Sequence, residues 1–286
     1  MLVENFRPGQ LEKWGLSPEQ LQAMNPALIV VRLSGYGQTG PYSDRPGFGT
    51  LAEAFAGAAF ISGYPEQPPL LPGFGLADST TGLMAAYLGL VAMAEKRRTK
   101  KGQYIDLAIY ETLLTLIGPN VINYDQLGII QQRSGSRLSF TAPRNTYKTR
   151  DQRWVTIGGS AQSAFMLICK TLKIESLIED PRFLNNRLRI QNVESLDQAI
   201  QAAVEQLDLS DLLERAAKKI QRCRPLMMSS KYLTTHTSRL EKISVRFLIQ
   251  SSIQTCECKM LWVSCQSRLV AFIIRDLNLV RIIMRY

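Results

Sequence analysis

The chain has 286 residues, 45% hydrophobic and 20% charged, which is typical of a soluble globular protein with one large domain or two modest ones. No apolar run reaches the roughly 20 residues that a bilayer span needs. The segment Leu2–Asn5 lacks the basic stretch and apolar core of a signal peptide. These observations predict a cytoplasmic protein with no membrane partner.

The net charge of +10 belongs to the C-terminal part of the chain. Residues 218–286 hold 13 Lys+Arg and 3 Asp+Glu, whereas the residues before them hold 21 of each sign. All 19 glycines lie at or before Gly159, and four of the five cysteines follow Ala217. The basic residues are interspersed with aliphatic ones and not grouped on one face, so they do not predict a nucleic-acid partner. We predict an atypical basic tail over 218–286, and one hypothesis is that it is translated out of frame.

Strands and helices alternate along the first 217 residues. The apolar, β-branched run Ala27–Leu33 predicts a buried strand of a parallel sheet. The next segments are predicted to be two helices, a strand and a helix: Thr50–Ile61, Asp78–Arg97, Gln103–Leu107 and Ile109–Ile117. A hairpin and two amphipathic helices are then predicted over Arg144–Gly158, Gln162–Leu172 and Leu196–Ala217. The alternation indicates the α/β class.

A literal G-x-G-x-x-G pattern, Gly35–Gly40, follows the first of these predicted strands. In dinucleotide-binding proteins such glycines open a helix whose N-terminus holds a pyrophosphate. Here Pro41 follows at once and Pro46 comes soon after, so no helix is expected to open. We interpret the segment as a wide turn that lets the backbone approach a neighbour or ligand closely.

Three carboxylates stand at positions of chemical interest. Glu111 lies in the early turns of the helix after the second strand, where the helix dipole stabilises an anion. That position suits a nucleophile and equally an ordinary solvated glutamate. We expect Asp106 to be a turn or helix-capping residue and Asp78 to be the N-cap of the long helix. No metal site is predicted, because no compact ligand pattern is formed by His236, Cys256, Cys258 and Cys265.

Several short motifs follow one another over residues 1–217. They are Leu2–Gly9, Leu33–Tyr42, Arg45–Phe48, Ala77-Asp78 with Thr81-Gly82, Gly102–Leu107, Ala142–Tyr147 and Asp180–Phe183. In this order and spacing they resemble the family III CoA-transferases, the group that includes formyl-CoA transferase and the carnitine CoA-transferases. Each motif alone is weak, whereas the ordered set is specific.

The resemblance implies a domain organisation. Residues 1–120 are expected to form part of a Rossmann-like, CoA-binding large domain, and residues 121–217 a linker and a smaller α+β domain. Relatives of this type form interlocked homodimers, and the same is expected of a complete protein. The chain is expected to be N-terminally truncated, because it starts inside a family strand and lacks the first nucleotide-binding strand with its loops.

The resemblance also implies a mechanism. A carboxylate attacks the acyl-CoA thioester to give a mixed anhydride, and CoA thiolate then converts it to an enzyme thioester. In the family the attacking carboxylate is usually an aspartate a few residues into the helix after the Gly-Gln-x-x-Asp strand. Glu111 occupies that position here. Coenzyme A is thus a substrate and not a permanently bound cofactor, with a free carboxylic acid as the second substrate. The residues expected to bind coenzyme A are Asn5, Phe6, Arg7, Lys13 and, as a weaker candidate, Arg45.

The sequence leaves two alternatives to CoA transfer open. Acyl-CoA racemases of the same superfamily use a His and an Asp to move an α-proton. Asp78 matches the racemase Asp, but Phe48 stands where the His would be, which disfavours racemisation. The other alternative is a non-catalytic remnant of a CoA-transferase. The acceptor acid is not specified, and a short dicarboxylate such as succinate or glutarate is a hypothesis.

Overall fold

The computed structural model describes residues 1–219 and 223–225, which form two compact units. The first contains Met1–Ser62 and Gln67–Arg133, and the second contains Gly63–Glu66 together with the described part of Ser134–Cys256. Strands and helices alternate along the first unit, so the predicted α/β class is confirmed. The tail predicted over 218–286 lies largely outside the described residues.

The first unit is built on a parallel sheet of three strands. These are β1 (Leu2–Glu4), β2 (Val30–Ser34) and β3 (Tyr104–Ala108), in the order β1-β2-β3. Glu4 pairs with Arg32, and Arg32 pairs with Asp106. Because all three strands are parallel, the chain leaves them at the same edge of the sheet. Both strands that the sequence predicted are present, although β2 begins at Val30 and not at Ala27.

Helices connect the strands of this sheet. Between β1 and β2 lie α1 (Gln10–Lys13) and α2 (Pro18–Met24), which the sequence analysis missed. Between β2 and β3 lie α3 (Gly49–Phe55) and α4 (Leu76–Thr99). The helix α3 ends earlier than the predicted Ile61, because Ala56 is its C-cap and Gly57 adopts a φ of 82°, which breaks the helical path.

The long helix α4 covers the apolar face of the sheet. Its small residues Ala85 and Ala92 pack against Val31, Leu33 and Leu107. A mean hydropathy of 1.3 over an 18-residue window gives α4 the length and composition of a membrane span, so the expectation that no run is long enough was wrong. A single helix of this length and composition is weak evidence for a membrane, and α4 packs on the sheet along its small-residue face.

Two further helices follow β3 directly. They are α5 (Ile109–Leu116) and α6 (Gly118–Leu127). Ile109 and Leu113 of α5 pack against alanines of α3 and α4, and the hydroxyls of Thr81 and Thr112 share a buried hydrogen bond of 3.2 Å. This packing fixes the first turn of α5 against the unit's core.

The second unit pairs a small antiparallel sheet with helices. The predicted hairpin is confirmed as β4 (Arg144–Lys148) and β5 (Trp154–Gly158), and β6 (Cys223–Pro225) pairs with β5. The helices are α7 (Gln162–Leu172), α8 (Ser176–Glu179), α9 (Asn186–Gln191), α10 (Val193–Val204) and α11 (Leu209–Lys219). The apolar sides of these helices enclose one core with β4 and β5. The thiol of Cys169 lies in this core, and burial raises the pKa of the thiol to about 12.

The single helix predicted over Leu196–Ala217 is two helices. After α10 the chain turns, and Leu207 donates a backbone hydrogen bond to Val204. The carboxylate of Asp151, in the β4–β5 turn, accepts the backbone N–H of Leu209 at 3.1 Å and so caps α11. The amphipathic pattern continues across the break, which is why the sequence alone did not reveal it.

Two buried polar residues tie this unit together. The Arg189 guanidinium is fully buried, lies over the Phe165 ring, and burial lowers its pKa. It donates hydrogen bonds to the carbonyls of Ala142, Ser160 and Phe183 and to the side chain of Gln162. Asp197 of α10 is buried as well, and its carboxylate accepts hydrogen bonds from Arg137, Asn145 and Tyr147.

Candidate active site

Glu111 lies in the first turn of α5, three residues after the end of β3. Its Oε2 atom accepts the backbone N–H of Ala108 at 3.1 Å, in the manner of a capping box. Ala108 is extended, with φ −77° and ψ 139°, so the chain passes directly from strand to helix. The Glu111 side chain is exposed. The carboxylate is thus held by one backbone bond and open to a ligand.

Asp106 holds the glycine-rich loop that follows β2. Its Oδ2 atom accepts the backbone N–H of Gln38 at 2.9 Å. The prediction that Asp106 caps a helix or forms a turn was wrong, because the residue lies inside β3. Gly37 has a φ of 86°, and a Cβ there would stand 3.6 Å from the Asp106 carboxylate and 3.8 Å from the Ala108 side chain. The loop therefore lies against the end of β3, close to where α5 begins.

The same loop closes back on itself. A Cβ placed on Gly35 would stand 2.5 Å from the Cα of Gly47, so the two backbones touch where no side chain fits. No helix opens at Gly35–Gly40, because α3 begins only at Gly49. The G-x-G-x-x-G pattern is therefore the close-approach turn that we predicted, and not a dinucleotide fingerprint.

An aromatic cluster lies beside this loop. Tyr36, Tyr42, Phe55 and Tyr110 meet with ring centroids 5.1–6.2 Å apart. The guanidinium of Arg45 lies 4.0 Å from the centroid of the Tyr42 ring. Tyr110 precedes Glu111 in the chain, so the cluster reaches the start of α5, and Arg45 joins the cluster through Tyr42. Sequence reasoning named Arg45 but missed the aromatic side chains around it.

The predicted coenzyme A turn follows β1. Asn5 and Arg7 are exposed, as is Lys13 at the end of α1, and the Phe6 ring meets the Trp14 ring edge to face at 5.0 Å. Glu4 accepts the backbone N–H of Phe6 and also binds Arg32. This turn, the glycine-rich loop and Glu111 each follow a strand of one parallel sheet, so they emerge at its carboxyl edge, where open α/β sheets bind ligands.

Asp78 does not cap α4. The N-cap is Gly75, and Asp78 lies within the first turn, where burial raises the pKa of its carboxyl. Its carboxylate contacts Gly49, since a Cβ there would stand 2.8 Å from Oδ2. The first turn of α4 is capped instead by the buried Glu53, whose carboxylate accepts the backbone N–H of Ala77 at 3.2 Å. No sequence signal pointed to Glu53.

Phe48, the residue expected at the racemase histidine position, is the N-cap of α3 and is exposed. It directly precedes Gly49, against which the Asp78 carboxylate lies. An imidazole at position 48 would therefore be a neighbour of Asp78, whereas a phenyl ring carries no proton to exchange. The residues raised as metal ligands, His236 and the tail cysteines, lie outside the described residues.

These features define a class: an α/β protein whose parallel sheet carries an exposed carboxylate and a basic turn at one edge. The family model of CoA-transferase family III matches residues 1–261. The chain therefore belongs to that family, as the motifs predicted.

Individual relatives agree with this assignment. The chain is 42% identical over 202 residues to a succinyl-CoA–D-citramalate CoA-transferase of Chloroflexus aurantiacus, covering 71% of this chain and 50% of that protein. It is 36% identical over 217 residues to the beta subunit of a succinyl-CoA–L-malate CoA-transferase of the same organism, covering 75% and 54%. The chain thus spans about half the length of the curated relatives it matches. A solved CaiB/BaiF family protein from Brucella suis has a TM-score of 0.70 and 29% identity, covering 83% of this chain and 63% of that one.

Proposed function

We propose that the protein transfers coenzyme A from an acyl-CoA thioester to a free carboxylic acid, with Glu111 as the nucleophile. The observation that carries the proposal is the exposed Glu111 carboxylate at the start of α5, directly after a strand of the parallel sheet. The helix N-terminus and the Ala108 N–H favour the anion, which is the reactive form. Membership in CoA-transferase family III supports the same reaction.

The chemistry divides into two symmetric halves. Glu111 attacks the thioester carbonyl, the C–S bond breaks, and the CoA thiolate leaves behind a mixed anhydride. The thiolate then attacks the Glu111 acyl carbon, which releases the donor acid and leaves CoA on Glu111 as a thioester. The acceptor carboxylate attacks that thioester, the C–S bond breaks, and a second anhydride forms as the CoA thiolate is released again. The thiolate finally takes the acceptor acyl group, and the Glu111 carboxylate is restored.

Water must stay away from the anhydride, because it hydrolyses readily. The glycine-rich loop held by Asp106 and the aromatic cluster of Tyr36, Phe55 and Tyr110 flank the start of α5. Such groups supply an apolar, water-poor boundary at the reacting centre. A glutamate in place of the usual aspartate adds one methylene to the nucleophile's reach.

We assign the nucleotide part of coenzyme A to the turn after β1. Asn5, Phe6 and Arg7 form that turn, Lys13 follows at the end of α1, and Arg45 lies beside the glycine-rich loop. Arginine and lysine are the side chains that bind phosphates best. Their exposure and their position at the sheet's carboxyl edge support this assignment.

The relatives' names suggest the substrates to test. Two Chloroflexus proteins are named for succinyl-CoA as one substrate and for D-citramalate or L-malate as the other. We therefore propose a short dicarboxylyl-CoA such as succinyl-CoA as the donor and a short dicarboxylic acid, with or without a hydroxyl, as the acceptor. Arg45 is one cation that a second carboxylate could contact.

We also propose a cytoplasmic homodimer. Coenzyme A and its thioesters carry phosphates and do not cross membranes unaided, so the protein has to share a compartment with them, and we propose the cytoplasm. Leu83, Tyr87 and Leu90 form an exposed apolar row along α4, which a second copy would cover. Light scattering at several protein concentrations, together with cell fractionation, tests both statements.

The test of the reaction is capture of the enzyme-bound acyl group. The protein is incubated with succinyl-CoA, treated with hydroxylamine, and digested for mass spectrometry. A hydroxamate on Glu111 is expected, and Glu111→Gln should abolish both the adduct and CoA exchange while the fold remains intact, since the two side chains are nearly isosteric. Glu19→Gln, on the exposed face of α2, is the matched control and should react like the wild type.

Three outcomes would decide against parts of the proposal. An active Glu111→Gln protein contradicts the nucleophile. A hydroxamate on another carboxylate moves the nucleophile elsewhere. A wild-type protein that binds CoA but forms neither adduct nor exchange product contradicts the transferase and favours a non-catalytic remnant.

A further inference from the structure

One buried arginine joins three elements around the turn after β1. Arg32 of β2 is 2% exposed, and its Nε atom donates to Glu4 of β1 at 2.5 Å. The other end of the guanidinium binds Glu12 of α1, with NH1 to Oε1 at 2.5 Å and NH2 to Oε2 at 3.3 Å. This is a bidentate pair on one side and a single bond on the other.

The network continues into the turn itself. The second oxygen of Glu4 accepts the backbone N–H of Phe6 at 2.6 Å. Thus a chain of bonds runs from α1 through Glu12, Arg32 and Glu4 to the peptide of Phe6. The turn lies between β1 and α1, so it is held at its start by Glu4 and at its far side by Glu12. Arginine suits this task because its rigid fork fixes geometry as well as charge.

Glu4 and Glu12, the two carboxylates that bind Arg32, differ in how deeply they are buried. The Glu4 side chain is buried, and removing it would leave the buried Nε end of the Arg32 guanidinium without its acceptor. The Glu12 side chain is 40% exposed, so the molecule can lose it without leaving a buried void. The hydrogen bond from Arg32 lowers the pKa of Glu12, so the pair is ionised at neutral pH.

We propose that the Arg32–Glu12 pair is a positioning device that holds α1, and with it Lys13, in place for the phosphates of coenzyme A. The proposal rests on the coenzyme A site assigned above and adds Arg32 and Glu12 as positioning residues that do not touch the ligand. A helix of four residues, Gln10–Lys13, has too few internal bonds to hold its own position. Glu12 supplies the anchor from the residue directly before Lys13.

A purely electrostatic role for Glu12 predicts the opposite change in CoA affinity, so the direction of the change distinguishes the two accounts. Glu12 is an anion beside a proposed phosphate site, so its removal should strengthen anion binding if only the field mattered. If Glu12 acts through position, its removal should weaken binding. The two accounts therefore differ in direction and not only in size.

The experiment compares Glu12→Ala, Glu12→Gln and the control Glu19→Ala by titration calorimetry with CoA and with pantetheine, which lacks the phosphates. Glu12→Ala should raise the Kd for CoA about three- to fivefold, the range expected for a half-exposed ion pair, and leave pantetheine unchanged. Glu12→Gln removes the same charge but keeps an acceptor for Arg32, so it should bind CoA better than Glu12→Ala. Glu19→Ala should match the wild type.

The results separate the two levels of the proposal. A wild type that does not bind CoA overturns the proposed function and this inference with it. A wild type that binds CoA, with both Glu12 variants binding as well or better, overturns the positioning role alone. Equal weakening for CoA and pantetheine also overturns it, because the effect would not involve the phosphates. Urea unfolding of each variant shows whether Glu12→Ala remains folded under the binding conditions.

Discussion

The carboxylate of Asp106 accepts the backbone N–H of Gln38 at 2.9 Å, across 68 residues of sequence. This bond fixes the glycine-rich loop after β2 against the strand that leads into α5. The Glu111 carboxylate stands at the start of that helix, held by the N–H of Ala108. A strand residue with no direct role in the chemistry thus sets where the loop and the carboxylate meet.

Removal of the Asp106 carboxylate should free the loop. In Asp106→Ala the Gln38 amide loses its acceptor, and a hydrogen bond to a charged group is worth about 1.5–3 kcal/mol. Amide hydrogen exchange at Gln38 should therefore be roughly ten- to hundredfold faster. Asp106→Asn keeps an acceptor oxygen and should lie between. Unchanged exchange in Asp106→Ala, relative to the exposed-site control Asp44→Ala, would contradict this role.

A methyl group on Gly35 should distort the loop. The Cβ of Gly35→Ala would stand 2.5 Å from the Cα of Gly47, and a backbone atom cannot give way as a side chain can. We expect a loss of about 1–3 kcal/mol in the free energy of unfolding of the first unit, measured by urea titration. Gly73→Ala is the control, because a Cβ there meets nothing within 4 Å. Equal stability of the two variants would show that the Gly35–Gly47 contact is not tight.

The stability contribution of Asp78 should depend on pH. Burial raises its pKa above the ordinary 3.8, so the folded state binds more protons than the unfolded state in the window between the two pKa values. Stability from this group is therefore greatest below pH 3.8 and falls as the pH rises through the folded pKa. Asp78→Asn should therefore be more stable than the wild type at pH 7, because a neutral amide at this half-buried position carries no charge to desolvate.

Urea titrations of the Asp78→Asn protein between pH 4 and pH 7.5 test this prediction. The advantage of the variant should shrink as the pH approaches 4. Asp44→Asn, on an exposed loop residue, controls for the loss of one negative charge. An advantage that grows toward acid pH would have the wrong sign and contradict the burial argument.

Arg189 should tolerate no replacement by lysine. Its guanidinium donates to three carbonyls and one amide oxygen from different segments, and an ammonium cannot reach them in that planar arrangement. We expect Arg189→Lys to cost about 2–4 kcal/mol in unfolding free energy of the second unit. Arg187→Lys on the exposed side of the same helix should change it by less than about 0.5 kcal/mol. Similar melting temperatures for the two variants would disprove the network's importance.

Local patterns predicted much of the secondary structure because they depend on neighbours in sequence. The apolar run before Gly35 became β2, and the helix predicted over Gln162–Leu172 has those bounds in the structure. The helix predicted over Leu196–Ala217 failed, because its apolar period runs on through the turn at Leu207. The start of α11 is defined by Asp151, which lies in a turn distant in sequence and accepts the backbone N–H of Leu209.

The sequence by itself determined the family, the α/β class and the position of Glu111. The ordered motifs and the transition from β3 to α5 depend on residues that are close together in the sequence. Only the tertiary structure decided which groups surround that carboxylate. Asp106 as the anchor of Gln38, Glu53 as the cap of α4 and Arg32 as the link between Glu4 and Glu12 all act across long separations in sequence. No local pattern encodes these bonds, because buried polar groups find partners only once the strands are paired and the helices packed.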